Sequence, residues 1–425
     1  MRIEELYQRF LNFPKVVKDT RENVKDSIYF SLKGGNFNGN AYAKDALEKG
    51  AAYAVIDEPK YKVDDRMLLV DDVLLCLQDL ARHHRVQLGL PIIALTGSNG
   101  KTTTKELIHS VLSKKYKCKS TGGNFNNHIG VPLTLLSMDK TTEIGVVEMG
   151  ANNPGEIDEL CQIALPDYGY ITNFGRVHLE GFGDLNGVIQ AKTEMYRHLE
   201  KKSKMVFINK SDSVQLDRSR SLERILIGDQ DSGCGTQMLG AEPYVRMKFK
   251  GMEIQSQLIG AYNYPNMAAA ACIGSFFEVP IEQIKAAIES YVPENNRSQI
   301  IIKGSNTIIM DAYNANPNSM EAALSNLNGL SASKKVAILG DMFEIGKESF
   351  NEHQHIADLA SSSPFERIYL IGENFSEVKL NEKRTQSFSS FKDFAKHFAK
   401  QEFSQTTFLI KGSRGMALER VLEIF

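Results

Sequence analysis

The amino-acid sequence predicts an α/β protein with three domains: a small α/β domain, a central domain with a mostly parallel sheet, and a third α/β domain. The chain has 425 residues, and at roughly 150 residues per domain this length suggests about three domains. Short apolar strand patterns alternate with helical patterns along most of the chain, which is typical of parallel sheets covered by helices. We expect the domains to span residues 1–88, 89–295 and 296–425.

The first predicted domain contains two apolar strand patterns on either side of a helical pattern. SIYFSL and AAYAVI have the composition of short buried strands, and AYAKDALEKGA between them has helical spacing. A second helical stretch, DVLLCLQDLARHHRVQL, leads to Gly89-Leu90-Pro91. Because glycine and proline interrupt regular structure, we interpret this tripeptide as the linker to the central domain.

The central predicted domain opens with the apolar strand PIIALTG and a helix that starts near Lys101. Three further buried-strand patterns follow near residues 144–150, 168–174 and 204–210, with helical segments between most of them. Residues 210–258 change to short strand-like runs, for which we predict an antiparallel edge. The helical pattern NYPNMAAAACIGSFFE closes this domain.

The third predicted domain begins near residue 297. Its four apolar strand patterns, TIIMDAY, KKVAILG, RIYLIG and TTFLIKG, are separated by helical segments. This alternation predicts a doubly wound, Rossmann-like α/β domain. Open sheets of this kind bind ligands beyond the carboxyl ends of their strands, so the residues that follow these strands are candidates for a binding site.

The composition argues against several classes of protein. The formal net charge is −2 and no long block of like charges occurs, which disfavours a nucleic-acid binder. No apolar run approaches the roughly 20 residues of a membrane span, and the acidic amino terminus does not resemble a signal peptide. We therefore expect a cytoplasmic protein, and a monomer by default. The five cysteines are scattered without a C-x-x-C pair, so we expect reduced thiols and neither a disulfide framework nor a zinc site.

A glycine-rich turn between a strand and a helix predicts a phosphate-binding loop. Backbone N–H groups of such a turn, together with the helix amino terminus, form a concave anion site. The lysine is expected to reach the β- and γ-phosphates, and the threonine after it to bind Mg²⁺. The spacing is a short G-x-x-G-K-T form rather than the longer Walker pattern. The loop comprises Thr96, Gly97, Ser98, Asn99, Gly100, Lys101, Thr102 and Thr103.

A series of motifs in this order resembles the ATP-dependent Mur ligases over nearly the whole chain. The motifs are TGSNGKTTT, GGNFNNHIGVPLTLL, VVEMGANNPGEI, ITNFGRVHLEGFGD and AKTEM. DAYNANPNSM, LGDMFEIG and LIKGSRGMALE are similar to the members of that family that add D-alanyl-D-alanine to UDP-N-acetylmuramoyl-tripeptide. The resemblance implies these two substrates, ATP and Mg²⁺, and a reaction in which a carboxylate is phosphorylated before an amine attacks it.

The resemblance also implies a site for two magnesium ions. Its ligands would be Thr102, Glu148, His178 and Lys192. A lysine ammonium cannot bind a cation, but reaction with CO₂ converts it into a carbamate with hard oxygen donors, which suit magnesium. Lys192 matches the lysine that is carbamylated in the family, although a lysine in a helix is usually a solvated surface group.

Further nucleotide and substrate roles follow from the same resemblance. Asn266 would read adenine through its amide, Asp311 would hold the ribose hydroxyls, and Arg297 would meet the γ-phosphate when the third domain closes. Lys101, Glu148, His178, Lys192 and Arg297 are accordingly the expected catalytic group. Residues expected to bind the UDP-linked or peptide substrate are Asp19, Arg21, Ser31, Asn126, Asn127, Asn314, Lys411 and Ser413.

The first domain departs from the family pattern at one place. The family usually has an Asp-Gly-His triplet where this chain has Asn38-Gly39-Asn40. Contacts expected of the acid and the histidine are therefore in doubt.

Two alternative functions remain open at this stage. A related ligase, either the one that adds the third amino acid or a folylpolyglutamate synthetase, would use the same nucleotide chemistry with other substrates. The D-N-P-R signature of the third-residue ligase is absent from the sequence. A GTPase switch is a more remote alternative, since Asn209-Lys210-Ser211-Asp212 matches the N-K-x-D guanine motif but nothing else in the chain supports guanine binding.

Overall fold

The computed structural model describes residues 1–229, 233–294, 296–380 and 382–425. Within these residues the strands form three main sheets that follow one another along the chain, each covered by helices. The α/β class predicted from the sequence is confirmed.

The first sheet is small, and all of its neighbouring strands are parallel. Its strand order is β1-β2-β5-β6, and a two-residue-per-strand hairpin, β3–β4, lies outside it. The strands are β1 (Lys15–Val17), β2 (Ser27–Phe30), β3 (Lys33–Gly34), β4 (Phe37–Asn38), β5 (Tyr53–Ile56) and β6 (Met67–Leu69). The helices are α1 (Ile3–Asn12), α2 (Ala43–Glu48) and α3 (Val73–Leu88), with 3₁₀ turns at Gly39–Tyr42 and Pro59–Tyr61.

Helix α3 joins the first sheet to the central one. Asp72 caps the amino terminus of this helix by accepting a hydrogen bond from Leu75 N. The helix ends at Leu88 and is followed by Gly89, whose φ of 65° is in the left-handed region that favours glycine. His84 on this helix contacts both sides, with Nδ1 3.2 Å from Tyr7 Oη and Nε2 2.8 Å from Met138 O. The predicted helix is therefore a packed connection as well as the end of the first domain.

The second sheet has the order β15-β14-β13-β12-β11-β10-β7-β9-β8. Strands β14 and β15 are antiparallel to their neighbours and the others are parallel, so the predicted antiparallel edge is present. The strands are β7 (Ile92–Thr96), β8 (Cys118–Ser120), β9 (Ile144–Glu148), β10 (Tyr168–Ile171), β11 (Met205–Asn209), β12 (Glu223–Gly228), β13 (Cys234–Gly240), β14 (Arg246–Phe249) and β15 (Met252–Gln255).

Helices cover both faces of this sheet. Strands β7 and β9 are therefore buried at every position and expose neither face to water. The helices are α4 (Lys101–Leu112), α5 (Gly130–Leu136), α6 (Glu156–Ala164), α7 (Leu179–Phe182), α8 (Leu185–Lys192), α9 (Glu194–Lys201), α10 (Ser213–Arg218), α11 (Tyr264–Phe276) and α12 (Ile281–Ser290), with a 3₁₀ turn at Ala261–Asn263.

The third sheet has the order β16-β17-β21-β18-β19-β20, with only the β16–β17 pair antiparallel among its described strands. The strands are β16 (Gln299–Lys303), β17 (Asn306–Asp311), β18 (Lys334–Gly340), β19 (Arg367–Ile371), β20 (Thr385–Phe388) and β21 (Thr406–Lys411). The helices are α13 (Pro317–Gly329), α14 (Ser349–Ser362), α15 (Glu373–Ser376) and α16 (Phe391–Phe398), with 3₁₀ turns at Gly346–Glu348, Arg414–Met416 and Leu418–Glu423.

The expectation that all cysteines are reduced is wrong for one pair. Cys234 on β13 and Cys272 on α11 form a disulfide, while Cys76, Cys118 and Cys161 are free. The two partners are separated by 38 residues, and they meet only because α11 packs against the antiparallel edge of the sheet. Sequence spacing alone therefore gave no sign of the pairing. No helix in the described parts of the chain is long and apolar enough to cross a membrane.

Candidate active site

The predicted phosphate loop joins β7, which ends at Thr96, to α4, which begins at Lys101. Gly97 and Gly100 have φ values of 142° and 77°. A Cβ atom on Gly97 would lie 1.9 Å from Thr172 Oγ1, and one on Gly100 would lie 2.9 Å from Asn266 Oδ1. Both positions therefore require glycine, because the loop is pressed against β10 and α11.

Lys101 folds back over this loop. Its Nζ donates to Gly97 O at 2.7 Å and to Ser98 O at 3.1 Å. Burial lowers the pKa of Lys101, and the nearby Arg297 lowers it further while Glu148 opposes the change. The Lys101 ammonium is thus held at the mouth of the loop, near one carboxylate and one guanidinium.

Glu148, at the carboxyl end of β9, is 1% exposed and has a hydrogen-bond partner for each carboxylate oxygen. Thr102 Oγ1 donates to Oε2 at 3.0 Å and Asn126 Nδ2 donates to Oε1 at 2.8 Å. A hydroxyl and a carboxylate in contact are hard oxygen donors of the kind that magnesium prefers, so these residues fit one ion. The described residues contain no group of three or more His, Cys, Asp or Glu side chains that could hold a metal. Other ligands would therefore have to come from hydroxyls, a modified lysine, phosphates or water.

Lys192 is not a surface lysine. Its side chain is 1% exposed, with Nζ 3.4 Å from Ala151 O and 5.2 Å from the centre of the Phe182 ring. Burial lowers the pKa of Lys192 to about 7, and the charge of Lys101 adds to the effect. The neutral amine is the form that reacts with CO₂, and the lowered pKa makes a substantial share of Lys192 neutral at neutral pH.

His178 lies at the start of α7 with a φ of 49°. Its Nδ1 is 2.5 Å from Glu344 Oε2 of the third sheet's domain, although the contact lacks hydrogen-bond geometry. Burial lowers the pKa of His178. The nearby Glu344 carboxylate opposes this change, and the charges of Lys101 and Lys192 lower the pKa further. The imidazole is therefore close to the site, but its described partner is Glu344 rather than Glu148.

Asn266 lies at the start of α11 with its amide already engaged. Its Oδ1 accepts a hydrogen bond from Thr104 Oγ1 at 2.9 Å, and its Nδ2 donates to Asn263 Oδ1 at 2.8 Å. Asn263 directly precedes α11, but its side chain makes no capping bond and instead donates to Ile259 O at 2.9 Å. Asn263 therefore orients the Asn266 amide beside the phosphate loop.

Asp311 ends β17, and its carboxylate is held at both oxygens. Oδ1 accepts from Ser298 N at 3.0 Å, and Oδ2 is 2.6 Å from Lys411 Nζ, which also donates to Asn314 O at 3.1 Å. The Arg297 guanidinium stacks 3.7 Å above the centre of the Tyr313 ring. Lys411 is 2% exposed, and its ammonium is paired with Asp311.

Two other expected substrate residues make structural contacts. Ser413 Oγ accepts a hydrogen bond from Phe343 N at 2.9 Å. Asn127 Oδ1 accepts from Gly130 N at 2.9 Å, as an ordinary turn residue does at the start of a helix. Asn126, by contrast, lies directly on Glu148.

The three residues of the first domain that were expected to bind substrate differ in exposure. Asp19 and Arg21 form an exposed ion pair of 2.6 Å, in which Arg21 lowers the pKa of Asp19 to about 2. Ser31 is fully buried, and its hydroxyl has no hydrogen-bond partner among the described residues.

In the triplet that departs from the family, Asn40 is buried and bonds Asp57 twice: Nδ2 donates to Asp57 Oδ1 at 2.8 Å, and Oδ1 accepts from Asp57 N at 3.0 Å. Asn38 Nδ2 donates to Glu58 Oε1 at 2.9 Å. These asparagines therefore brace the end of β5.

The third sheet's domain contacts the phosphate loop directly. Asn316 Nδ2 donates to Asn99 Oδ1 at 2.7 Å, and the backbone N–H of Arg176 donates to Asn318 Oδ1, also at 2.7 Å. Together with the contact between His178 and Glu344, these bonds place the third sheet's domain against the phosphate loop. Arg297 is consequently close enough to lower the pKa of Lys101.

Comparison with known proteins assigns the family. A model of the Mur ligase middle domain matches residues 95–274, and a model of the Mur ligase, glutamate ligase domain matches residues 296–414. The UDP-N-acetylmuramoyl-tripeptide--D-alanyl-D-alanine ligase of Bacillus subtilis is 33% identical over 420 residues, which cover 96% of this chain and 92% of that protein. The chain belongs to the Mur ligase family.

Solved structures of related Mur ligases share the fold of this Mur ligase. MurF from Acinetobacter baumannii has a TM-score of 0.88 and 28% identity, covering 99% of this chain and 97% of that one. MurF from Thermotoga maritima in complex with ADP has a TM-score of 0.86 and 26% identity, covering 98% and 97%. As a member of this family, the chain is an ATP-dependent ligase.

Sequence reasoning missed several residues at the site of this Mur ligase. Glu344 stands within the quoted motif LGDMFEIG, and its φ of 63° marks an unusual backbone position that sequence does not reveal. Asn316 and Asn318 lie in the quoted DAYNANPNSM, and their contacts depend on how the domains meet. Arg176 had no signal beyond its place in the motif before His178.

Proposed function

We propose that this chain joins D-alanyl-D-alanine to the terminal carboxylate of UDP-N-acetylmuramoyl-tripeptide, with ATP converted to ADP and phosphate. The observation that carries the reaction class is the gathering of the phosphate loop, Glu148, Lys192 and Arg297 around Lys101. The choice of substrates rests on end-to-end similarity to relatives named for that reaction.

The phosphate loop and Lys101 bind the triphosphate of ATP. Backbone N–H groups of the loop face the phosphates, and the Lys101 ammonium exchanges the carbonyls of Gly97 and Ser98 for phosphate oxygens. Thr102 and Glu148 would hold Mg²⁺, which would supply positive charge against the triphosphate. Among the residues expected to contact ATP are also Ser98, Asn99, Gly100 and Thr103.

Residues from two domains position the rest of the nucleotide. Asn266 presents its amide to adenine with its orientation fixed by Thr104 and Asn263. Asp311 holds the ribose hydroxyls, and Arg297 meets the γ-phosphate as that group is transferred to the substrate carboxylate. Because Asp311 and Arg297 belong to the third domain, phosphoryl transfer requires the closed arrangement.

Lys192 carries a carbamate in the active enzyme. The neutral amine adds to CO₂ and releases one proton, which leaves an anionic carbamate in place of a buried cation. Burial of Lys192 and its lowered pKa support this proposal. The carbamate, Glu148 and His178 would hold a second magnesium ion, for which His178 would have to give up its contact with Glu344.

The first domain binds the UDP portion of the substrate through Asp19, Arg21 and Ser31, and Asn126 and Asn127 lie toward its muramoyl-peptide portion. The space for the incoming dipeptide is bordered by Asn314, Lys411 and Ser413, of which Lys411 and Ser413 act mainly through the loops they hold.

We propose domain boundaries at 1–88, 89–295 and 296–425, supported by the sheet within each range; residue 295 itself lies outside the described residues. A cytoplasmic monomer remains part of the proposal.

A substrate screen tests this function. Purified protein with Mg²⁺ and either ATP or GTP is given UDP-N-acetylmuramoyl-tripeptide with D-alanyl-D-alanine, the corresponding UDP-linked dipeptide with single amino acids, or a folate with glutamate, and release of the nucleoside diphosphate is followed. We expect turnover with D-alanyl-D-alanine and little with the others. Turnover that requires a single amino acid or a folate acceptor would replace the proposal with a related ligase, and a preference for GTP over ATP would contradict the nucleotide assignment.

A further inference from the structure

Arg176 makes a contact that crosses from the central domain to two helices of the third domain. One guanidinium nitrogen, Nη1, donates to Glu352 Oε1 on α14 at 2.8 Å, and the other, Nη2, donates to Glu321 Oε1 on α13 at 2.9 Å. We propose that Arg176 is a positioning residue that holds the third domain closed over the phosphate loop. This inference rests on the proposed ligase function only for its effect on turnover.

The loop that carries Arg176 is tied to the phosphate loop on its other side. Asn173 Oδ1 accepts a hydrogen bond from Asn99 N at 3.0 Å, and Gly175 N donates to Ser98 Oγ at 2.9 Å. A movement of Arg176 relative to the phosphate loop would therefore break these bonds. The backbone that carries Arg176 is thus fixed to the central domain.

Helix α13 is the matching fixed point of the third domain. Its first turns contain Asn316, which bonds Asn99, then Asn318, which accepts from the Arg176 backbone, and then Glu321. Gly175 lies so close that a Cβ atom there would be 3.1 Å from Asn318 Oδ1. Helix α13 therefore contacts the phosphate loop and the Arg176 loop at successive positions.

The partial burial of these ion pairs indicates that they contribute to the stability of the interface. The Glu352 side chain is 11% exposed, Glu321 is 32% exposed and Arg176 is 37% exposed. Exposed ion pairs contribute little, but removing one partner of a buried pair leaves an uncompensated charge. Without Arg176 the nearly buried Glu352 carboxylate loses its cationic partner, whereas Glu321 keeps His355 Nε2 at 3.0 Å from its Oε1. The interface is therefore weakened mainly through Glu352.

This contact should affect chemistry more than the binding of the UDP substrate. The third domain brings Arg297 and Asp311 to the nucleotide, whereas the UDP portion is bound by the first domain. Loss of Arg176 should therefore affect turnover without affecting the binding of the UDP substrate. The turnover number falls because closed molecules become fewer, while the affinity for the UDP substrate in the absence of ATP stays the same.

The test compares Arg176→Ala with Arg220→Ala, whose arginine is also in the central domain but pairs with Asp217 of the same domain. Small-angle scattering and calorimetric binding of the UDP substrate are measured before any assay of turnover. For Arg176→Ala we expect a larger radius of gyration without ligands, unchanged binding of the UDP substrate, and a turnover number reduced at least about tenfold. Arg220→Ala should match the wild type in all three.

A double-mutant cycle with Glu352→Gln makes the result independent of any general weakening. If the two residues act through one contact, the double variant should lose little more than Arg176→Ala alone. Should Arg176→Ala fail to fold, Glu352→Gln with Glu321→Gln provides the same scattering comparison. Wild-type radius and turnover in Arg176→Ala, or fully additive losses in the cycle, would overturn the proposal. If the wild type has no ligase activity, the function proposed above fails, yet the scattering result still decides the role of Arg176.

Discussion

Asn316, the capping residue of α13, donates a hydrogen bond of 2.7 Å to Asn99 in the middle of the phosphate loop. The same asparagine accepts from Ser319 N at 3.0 Å, so one side chain both begins a helix of the third domain and contacts the nucleotide loop of the central domain. The cap uses Asn316 Oδ1, whereas the shorter of its two bonds with Asn99 uses Nδ2; Asn99 Nδ2 also donates to Asn316 Oδ1 at 3.4 Å. Substitutions can therefore separate the cap from the shorter contact.

Asn316→Ser should retain the helix cap and lose the contact with the loop. Serine caps helices about as well as asparagine, but its hydroxyl is too short to reach Asn99 while it caps. We expect nearly wild-type stability with a turnover number lowered about tenfold, because closure loses one of its hydrogen bonds. Asn316→Ala should lose both functions and also lower the free energy of unfolding by about 1 kcal/mol. Chemical denaturation and steady-state kinetics measure the two effects, and equal stability of the serine and alanine variants would contradict the capping role.

Lys101→Ala should abolish ligation without unfolding the protein. The substitution removes the ammonium that faces the phosphates, and loss of such a charge typically costs about 3 kcal/mol of transition-state stabilisation, or at least a hundredfold in rate. Release of ADP measures the loss. Lys114→Ala, an exposed lysine just beyond the end of the same helix, is the control and should retain full activity. Near-normal turnover of Lys101→Ala would show that the phosphates bind elsewhere.

Lys192→Ala should lose most activity, and short carboxylic acids at high concentration should restore part of it by supplying the missing oxygen donor. In the wild type, activity should depend on bicarbonate and on pH. The lowered pKa of Lys192, about 7, keeps the amine mainly neutral above that pH and mainly protonated below it. Carbamate formation, and with it activity, should therefore fall as the pH drops through this value and should recover partly with added bicarbonate. A fully active Lys192→Ala protein would disprove the carbamate proposal.

Gly97→Ala should destabilise the protein more than Gly89→Ala. Both glycines have positive φ, 65° at Gly89 and 142° at Gly97, so alanine is strained at either position, by about 1–2 kcal/mol at the left-handed Gly89. A Cβ atom at Gly89 meets nothing within 4 Å, whereas one at Gly97 would overlap Thr172. The overlap should add about 1–3 kcal/mol to the loss of stability. Denaturant unfolding of the two variants measures the difference, and equal losses would mean that the loop relaxes freely away from β10.

The sequence was informative where local pattern decides structure. The strand–glycine–lysine–threonine order of residues 92–103 predicts both the elements and the buried loop, because each feature is set by neighbouring residues. Lys192 shows the opposite case. Helical spacing alone suggests an exposed lysine, and only the fold, which packs α8 beside Ala151 and Phe182, buries it.

Contacts between distant segments could not be predicted. The disulfide between Cys234 and Cys272, the pairing of His178 with Glu344, and the Arg176 contacts all depend on how separate elements or domains meet. Strands β1, β6, β8, β16 and β20 were also missed. β16 is at most half-buried at its described positions, so its apolar pattern is not a signal of a core strand.

The measurement that tests the account most directly is the mass of the product. Purified protein is incubated with ATP, Mg²⁺, UDP-N-acetylmuramoyl-tripeptide and D-alanyl-D-alanine, and the UDP-linked species are analysed by mass spectrometry. The account predicts a new species heavier than the tripeptide substrate by one dipeptide less one water, formed in step with ADP and absent when Lys101→Ala protein is used. An unchanged UDP-linked substrate, or a product that has gained a single amino acid, would contradict it.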